Sequence, residues 1–288
     1  AGAGAGLFLA SGTTTTLTTT NGVTSTIQGI ADDSAIGLAG GTYTAGSGAG
    51  ANVTVSGTGT LALSGTNAWG GVTTIASGAS LQGAASAMSG SNIVNNGNLI
   101  FNAAGTSAED ISGSGSVQAT SAGVVLTGAI TSTGQVSVSG ADAGLTLGGA
   151  RSGGTTTGVS VTGAGASLTV SNSGSIQSGQ YIGVRMTGAG TVLTNLGTIQ
   201  NSGTGGDGAV GAGVYVQNGA GGVTTVSNGS ASDTGAGSVI QGRNAGIRHE
   251  AGSTDTLVVN NYGNIVGDIY NGIENTAGGL TVTNFSGG

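Results

Sequence analysis

The chain has 288 residues, 64 of them Gly, with no Pro, no Cys and one His; only 5% are charged, and four Arg against eleven acids give a net charge of -7. Collagen is excluded by the missing Pro and three-residue period, and a disulfide scaffold or thiolate metal site by the missing Cys. An acidic chain without Lys cannot neutralise phosphates, so no nucleic-acid partner is expected; scarce helix formers and 36% hydrophobic residues leave β structure with many turns.

Neither an initiator Met nor a basic-then-apolar leader stands at Ala1, so any signal peptide is expected to be removed or to lie outside this sequence. Apolar stretches such as Leu7 to Ala10 are too short for a transmembrane helix. One Trp, five Tyr and three Phe cannot furnish the girdles of an outer-membrane barrel. No transmembrane segment is expected in this chain. Thr13 to Thr16 and Thr18 to Thr20 raise the idea of an ice-binding face. Such a face needs Thr at one register on many strands, and these Thr do not recur that way. Their expected role is β-propensity with outward hydroxyls.

Residues 57 to 81 carry a denser pattern: Gly57-x-Gly59-x-Leu61-x-Leu63-x-Gly65-x-Asn67-x-Trp69-x-Gly71, then Thr73-x-Ile75-x-x-Gly78 and Leu81. This resembles the autotransporter-associated repeat, with Ala79-Ser80 before Leu81 as a departure. Ile93-Val-Asn-Asn-Gly-Asn-Leu99 is similar to coils of the same passenger domains. The resemblance implies a β-helix on the surface of, or secreted from, a Gram-negative bacterium, exported through an outer-membrane barrel that this sequence does not include. It implies no single activity, since passengers include adhesins, aggregation factors, proteases, esterases and toxins. Absence of Cys agrees with export.

The C-terminal half repeats more openly. An alternating apolar run ends at Asn172, Asn195, Asn228, Asn261 and Asn284. Asn195 and Asn284 follow their predecessors after about 23 residues, Asn228 and Asn261 after about 33 residues. Three of these Asn lead into x-Gly-x-Ile, at Ile176, Ile199 and Ile265, and beyond come Gly183-Val184, Gly213-Val214, Gly246-Ile247 and Gly272-Ile273. The surpluses around Gly203 to Gly211 and Ser230 to Gly237 read as loops. A unit of three short strands repeating about every 23 residues lets each strand pair with its equivalent in the next unit. The predicted fold is therefore all-β: a single-stranded parallel β-helix (β-solenoid), right-handed, in one domain over 1–288. Coils are expected to be irregular over 1–150 and regular over 151–288, with about twelve rungs spanning ~60 Å.

Two columns of side chains follow from that register. Alternation places each Asn on the same face as the apolar residues before it, so Asn172, Asn195, Asn228, Asn261 and Asn284 are expected to form an internal amide ladder. The residue after each Gly-Val/Ile pair should point outward, stacking Arg185, Tyr215, Arg248 and Glu274 as a surface ladder with guanidinium over ring and Arg against Glu.

Catalytic signals are weak. No Gly-x-Ser-x-Gly accompanies an α/β pattern, and the single His249 sits in Arg-His-Glu. Arg243, Arg248, His249, Glu250, Asp255, Asp268 and Glu274 form the one polar concentration, read first as a solvated outer face. Gly205-Gly-Asp207-Gly occurs once, where calcium nonapeptides come in arrays. No catalytic residue, metal site or cofactor is therefore expected. The expected function is a non-enzymatic structural or adhesive module at the bacterial surface or outside the cell. It would meet protein or glycan on host, matrix or neighbouring cells, or associate head-to-tail as a fibre subunit. The alternative is a carbohydrate-active β-helix enzyme, a polysaccharide lyase or hydrolase.

Overall fold

A computed structural model describes residues 6–34, 49–88, 92–153, 156–179, 181–203, 211–217, 221–232 and 237–285. Much of both predicted loop surpluses, and Asp207 with its glycines, lie outside them. The chain winds as a parallel β-helix through three faces in turn. Thr198–Asn201, Ala212–Val216 and Val223–Asn228 make one such circuit, each strand pairing with its equivalents one coil away. One face is an eleven-stranded sheet and another an eight-stranded sheet. The third consists of two five-stranded sheets joined through a single bridging residue, Ile130. Parallel neighbours cannot be linked by a tight hairpin, and here the rest of the coil is the crossover.

Stacked apolar side chains fill the interior. From Leu61 to Ile273, ten successive rungs of the eleven-stranded sheet carry Leu, Val or Ile at one inward position. Burying each such side chain stabilises the fold by roughly 1.5–3 kcal/mol. Coil length varies along the axis. Ser80, Asn98 and Ser116 pair in succession at a spacing of about 18 residues, whereas Val214 and Ile247 pair across about 33 residues. The stretch 1–150 holds both extremes, about 38 residues between Thr14 and Asn52 and about 18 between Asn98 and Ser116. Its corners carry varied residues, so no corner motif advertises the period, while the inward aliphatic positions keep it.

The repeat motif is one coil, since Leu61 pairs with Leu81. Leu61, Leu63, Ile75 and Leu81 point into the core, and Trp69 is fully buried with its Nε1 donating to Thr73 Oγ1 at 3.2 Å. Asn67 Oδ1 accepts the Ile30 amide at 2.8 Å, tying the corner to the preceding coil. Gly71 is required by close approach: a Cβ there would stand 2.2 Å from the Ala51 carbonyl oxygen.

Asp32 and Arg151 are two of the ionisable groups buried in the interior. Asp32 is fully buried and accepts hydrogen bonds from the amides of Ser34, Ala51 and Gly70 at 3.0, 2.7 and 2.9 Å, and from the Ser34 hydroxyl. Burial pushes its pKa up, but those hydrogen bonds outweigh burial and hold the carboxyl below its usual value. A lowered folded pKa means the contribution is fully present above about pH 4 and is lost as pH falls through the folded value. Asp32→Asn is expected to lower the Tm at neutral pH and to flatten its decline between about pH 5 and about pH 2. An acid limb identical to that of the parent would assign the titration elsewhere.

Arg151 is the other. On its inward column it stands among isoleucines: Ile111 and Ile130 precede it, and Ile176 and Ile199 follow. Its guanidinium fans out to five backbone carbonyls, those of Gly158, Ile130, Ser132, Ser152 and Gly134, at 3.1, 3.4, 2.6, 2.8 and 2.9 Å. Desolvation pushes its pKa down to about 10.

Candidate functional site

The outward column of the eleven-stranded sheet brings Arg185, Tyr215, Arg248 and Glu274 into consecutive register. Each follows an inward Val184, Val214, Ile247 or Ile273, so alternation turns it away from the core. Their contacts differ from simple stacking. Arg185 Nη2 donates to Gln217 Oε1 at 2.6 Å. Tyr215 is largely covered, packing with Ile182, Ala212 and Tyr181 in a small apolar cluster outside the main core. Burial and the hydrogen-bonded Glu250 carboxylate raise the pKa of its hydroxyl above the ordinary phenol value. Glu250 was absent from the expected ladder because it lies two residues beyond Arg248, just past the end of the strand Ala245–His249.

Arg248 joins the column's two acids. Its Nε lies 2.9 Å from Glu250 Oε2 and its Nη1 3.8 Å from Glu274 Oε2. Pairs of this kind near the surface contribute ~0.2–1 kcal/mol. Arg248→Ala is expected to leave the circular dichroism spectrum unchanged and to shift stability by no more than that. A loss of several kcal/mol would show that the column holds the coils together.

The polar concentration expected on one outer face divides into separate places. His249 and Asp255 point inward and are buried, with His249 Nε2 2.9 Å from Asp255 Oδ1 and Nδ1 2.7 Å from Asn275 Oδ1. The reason is parity: Arg248 is outward, so the adjacent His249 must be inward, in register with buried Val216. Asp268 follows a strand of the third face and accepts from Gln241 Nε2 at 2.8 Å, while Gln241 Oε1 accepts from Gln200 Nε2 at 3.2 Å. Glu250 and Asp268 therefore serve different sheets. Among the described residues no group of three or more His, Asp or Glu could hold a metal ion. No helix among them is long and apolar enough to cross a membrane.

The internal amide ladder runs through four of the five expected positions. Asn195 Nδ2 donates to Asn228 Oδ1 at 2.8 Å, Asn228 Nδ2 to Asn261 Oδ1 at 2.9 Å, and Asn261 Nδ2 to Asn284 Oδ1 at 2.8 Å. Asn195 and Asn228 are fully buried. Asn172 is a correction: it is exposed in a turn, and Val170 is the residue that pairs with Asn195. Six positions separate Val170 from Ile176 but only four separate Asn195 from Ile199, so that corner holds two extra residues, which carry Asn172 off the column. With Val170 on the next rung, Asn195 Oδ1 has no hydrogen-bond partner. Gly197 and Gly263, two residues past their Asn, pass neighbouring carbonyl oxygens so closely that a Cβ would stand 2.2 and 2.3 Å away.

Comparison of the chain with protein-family models, with curated proteins and with solved structures finds no match.

Proposed function

We propose that the chain is a non-enzymatic surface or extracellular module of the autotransporter-passenger kind, a stiff β-helix that mediates adhesion or self-association. The observation that supports this best is the coil from Leu61 to Leu81, in which the hallmark residues of the resembled repeat each have a structural task. Outside the core, the coils align side chains in long straight columns, which suits presentation to a partner better than enclosure of a substrate. Arg185, Tyr215, Arg248 and Glu274, with Glu250, form the polar, partly covered column most suited to meeting protein or glycan on host, matrix or neighbouring cells. Self-association head-to-tail would pair the edge strands Thr24–Gln28 and Asn271–Asn275 of the eleven-stranded sheet across two molecules.

The test is display of the chain on a bacterial surface, scoring cell–cell aggregation and attachment to host or matrix layers. Loss of attachment in an Arg185→Ala, Arg248→Ala double variant that keeps its Tm supports the column as the contact. Polysaccharide turnover abolished by Glu250→Gln or Asp268→Asn would replace this reading with the carbohydrate-active one. Neither activity in the parent would overturn both.

A further inference from the structure

The three faces carry different outward side chains. Gln82, Gln118, Arg185 and Tyr215 project from the eleven-stranded sheet, and Gln177, Gln200 and Gln241 from the third face. On the eight-stranded sheet, every outward strand position among the described residues is Thr, Ser, Val, Asn or Gly. Those strand positions carry no charge, no aromatic ring and no long flexible side chain; the stacked rings of Tyr262 and Phe285 stand just past the ends of the last two strands. The N-terminal five-stranded sheet of the third face is similarly neutral apart from Asp110, but over the C-terminal coils, where all three faces are equally strand, only the eight-stranded sheet is free of Gln, Arg, Tyr and Glu.

The neutral side chains recur at one register. Thr146, Thr169, Thr194, Ser227, Asn260 and Thr283 pair in unbroken succession. A second column lies two residues earlier on each strand, from Ser167 through Thr225 to Thr281. Recurrence is hidden in the sequence because the interval between successive members widens at every step from Thr146 to Ser227. The Thr13 to Thr20 run contributes a shorter array on the third face, Thr14 beside Asn52, Thr16 beside Thr54 and then Thr74, and Thr18 beside Ser56.

Backbone geometry sets the mesh: ~4.8 Å between rungs and ~6.7 Å between alternate residues of one strand. These spacings are close to the two repeats of the prism face of hexagonal ice. Thr offers a hydroxyl and a methyl on a stiff χ1, and Val keeps the methyl in the same shape. The alternate positions, Leu168, Leu193, Val226 and Leu257 among them, are fully buried, so the array sits on a packed core. A rigid array orders bridging water with little further entropy loss. We propose that the outer face of the eight-stranded sheet binds ice, its hydroxyls and methyls holding lattice-like water. This goes beyond the adhesive reading and uses a different face.

The experiment measures thermal hysteresis and partition of the full chain into a slowly grown ice hemisphere. Thr194→Tyr and Thr225→Tyr place bulk on the array, and Gln118→Tyr places the same bulk on the eleven-stranded sheet; circular dichroism and Tm verify that each folds. The parent and Gln118→Tyr are expected to enter ice and shape its crystals, and the two Thr variants to lose both properties. A parent excluded from ice overturns the proposal, as does equal loss in Gln118→Tyr. Binding of the parent to crystalline chitin or cellulose but not ice, removed by the same Thr variants, would reassign the face to flat glycan surfaces.

Discussion

Arg151→Ala is expected to lower unfolding free energy by about 3–5 kcal/mol, the range for removing one member of a buried charged network. Five carbonyl oxygens would lose the guanidinium; that of Ile130 keeps the Ser152 amide as donor and those of Ser152 and Gly134 are partly buried, which leaves the Gly158 and Ser132 carbonyls as the buried acceptors most affected. Each unsatisfied buried acceptor costs about 1–3 kcal/mol before relaxation, and the vacated volume adds a cavity term. Arg151→Ile separates the two contributions. It matches Ile130 and Ile176 on the neighbouring rungs and refills the apolar part, but supplies no donor. Its stability should fall between parent and Arg151→Ala, read as the denaturant midpoint at constant slope. If Arg151→Ile equals the parent, the fan of hydrogen bonds is not what the coil needs.

Asn228→Asp is expected to be comparably severe at neutral pH, about 3–5 kcal/mol, because it buries an uncompensated charge. The substitution keeps the shape but exchanges the amide that donates to Asn261 Oδ1 and to the Asn264 carbonyl for acceptors. Burial beside another acceptor raises the pKa of the new carboxyl in the folded state. A raised folded pKa implies that the defect is small below about pH 4 and grows as pH rises through the folded value. The difference in Tm between parent and variant should therefore shrink on acidification because the variant recovers as its new carboxyl is protonated, whereas with Asp32→Asn the gap closes because the parent loses stability. A difference independent of pH would show that the amide column is solvated.

Much of the architecture was legible because parallel coiling repeats its demands. The inward Val or Ile after Gly183, Gly213, Gly246 and Gly272 advances with the Asn column, and pairing of the two registers is what a solenoid requires. Legibility failed where backbone length was exchanged between corner and strand. Asn172 keeps the interval of its column but stands in a corner two residues longer, so spacing alone places it on the wrong side. His249 could have been placed from alternation once Arg248 was outward; a charged neighbourhood in sequence was mistaken for one in space. Arg151 gave no signal, since a lone Arg in a Gly-rich stretch reads as surface. Only the fold reveals that it stands in an isoleucine column. The Thr array was missed for a related reason: unequal corners scatter an even lattice into uneven sequence intervals.

The unequal coil lengths have a mechanical consequence. Tension along the axis loads the inter-rung hydrogen bonds in series, so coils detach one after another while their neighbours hold, as in other one-dimensional arrays. Each detachment releases a length of chain set by the size of that coil. The compact coils between Ser80 and Ser116 would yield steps of roughly 60 Å at full extension, and the long coils between Asn195 and Asn261 roughly 110 Å. A single-molecule pulling trace would then read the order of failure directly. Short steps report the compact coils between Ser80 and Ser116; long steps report the coils between Asn195 and Asn261 or the first coils of the chain, where Thr14 pairs with Asn52 and Thr24 with Thr60 across intervals at least as long.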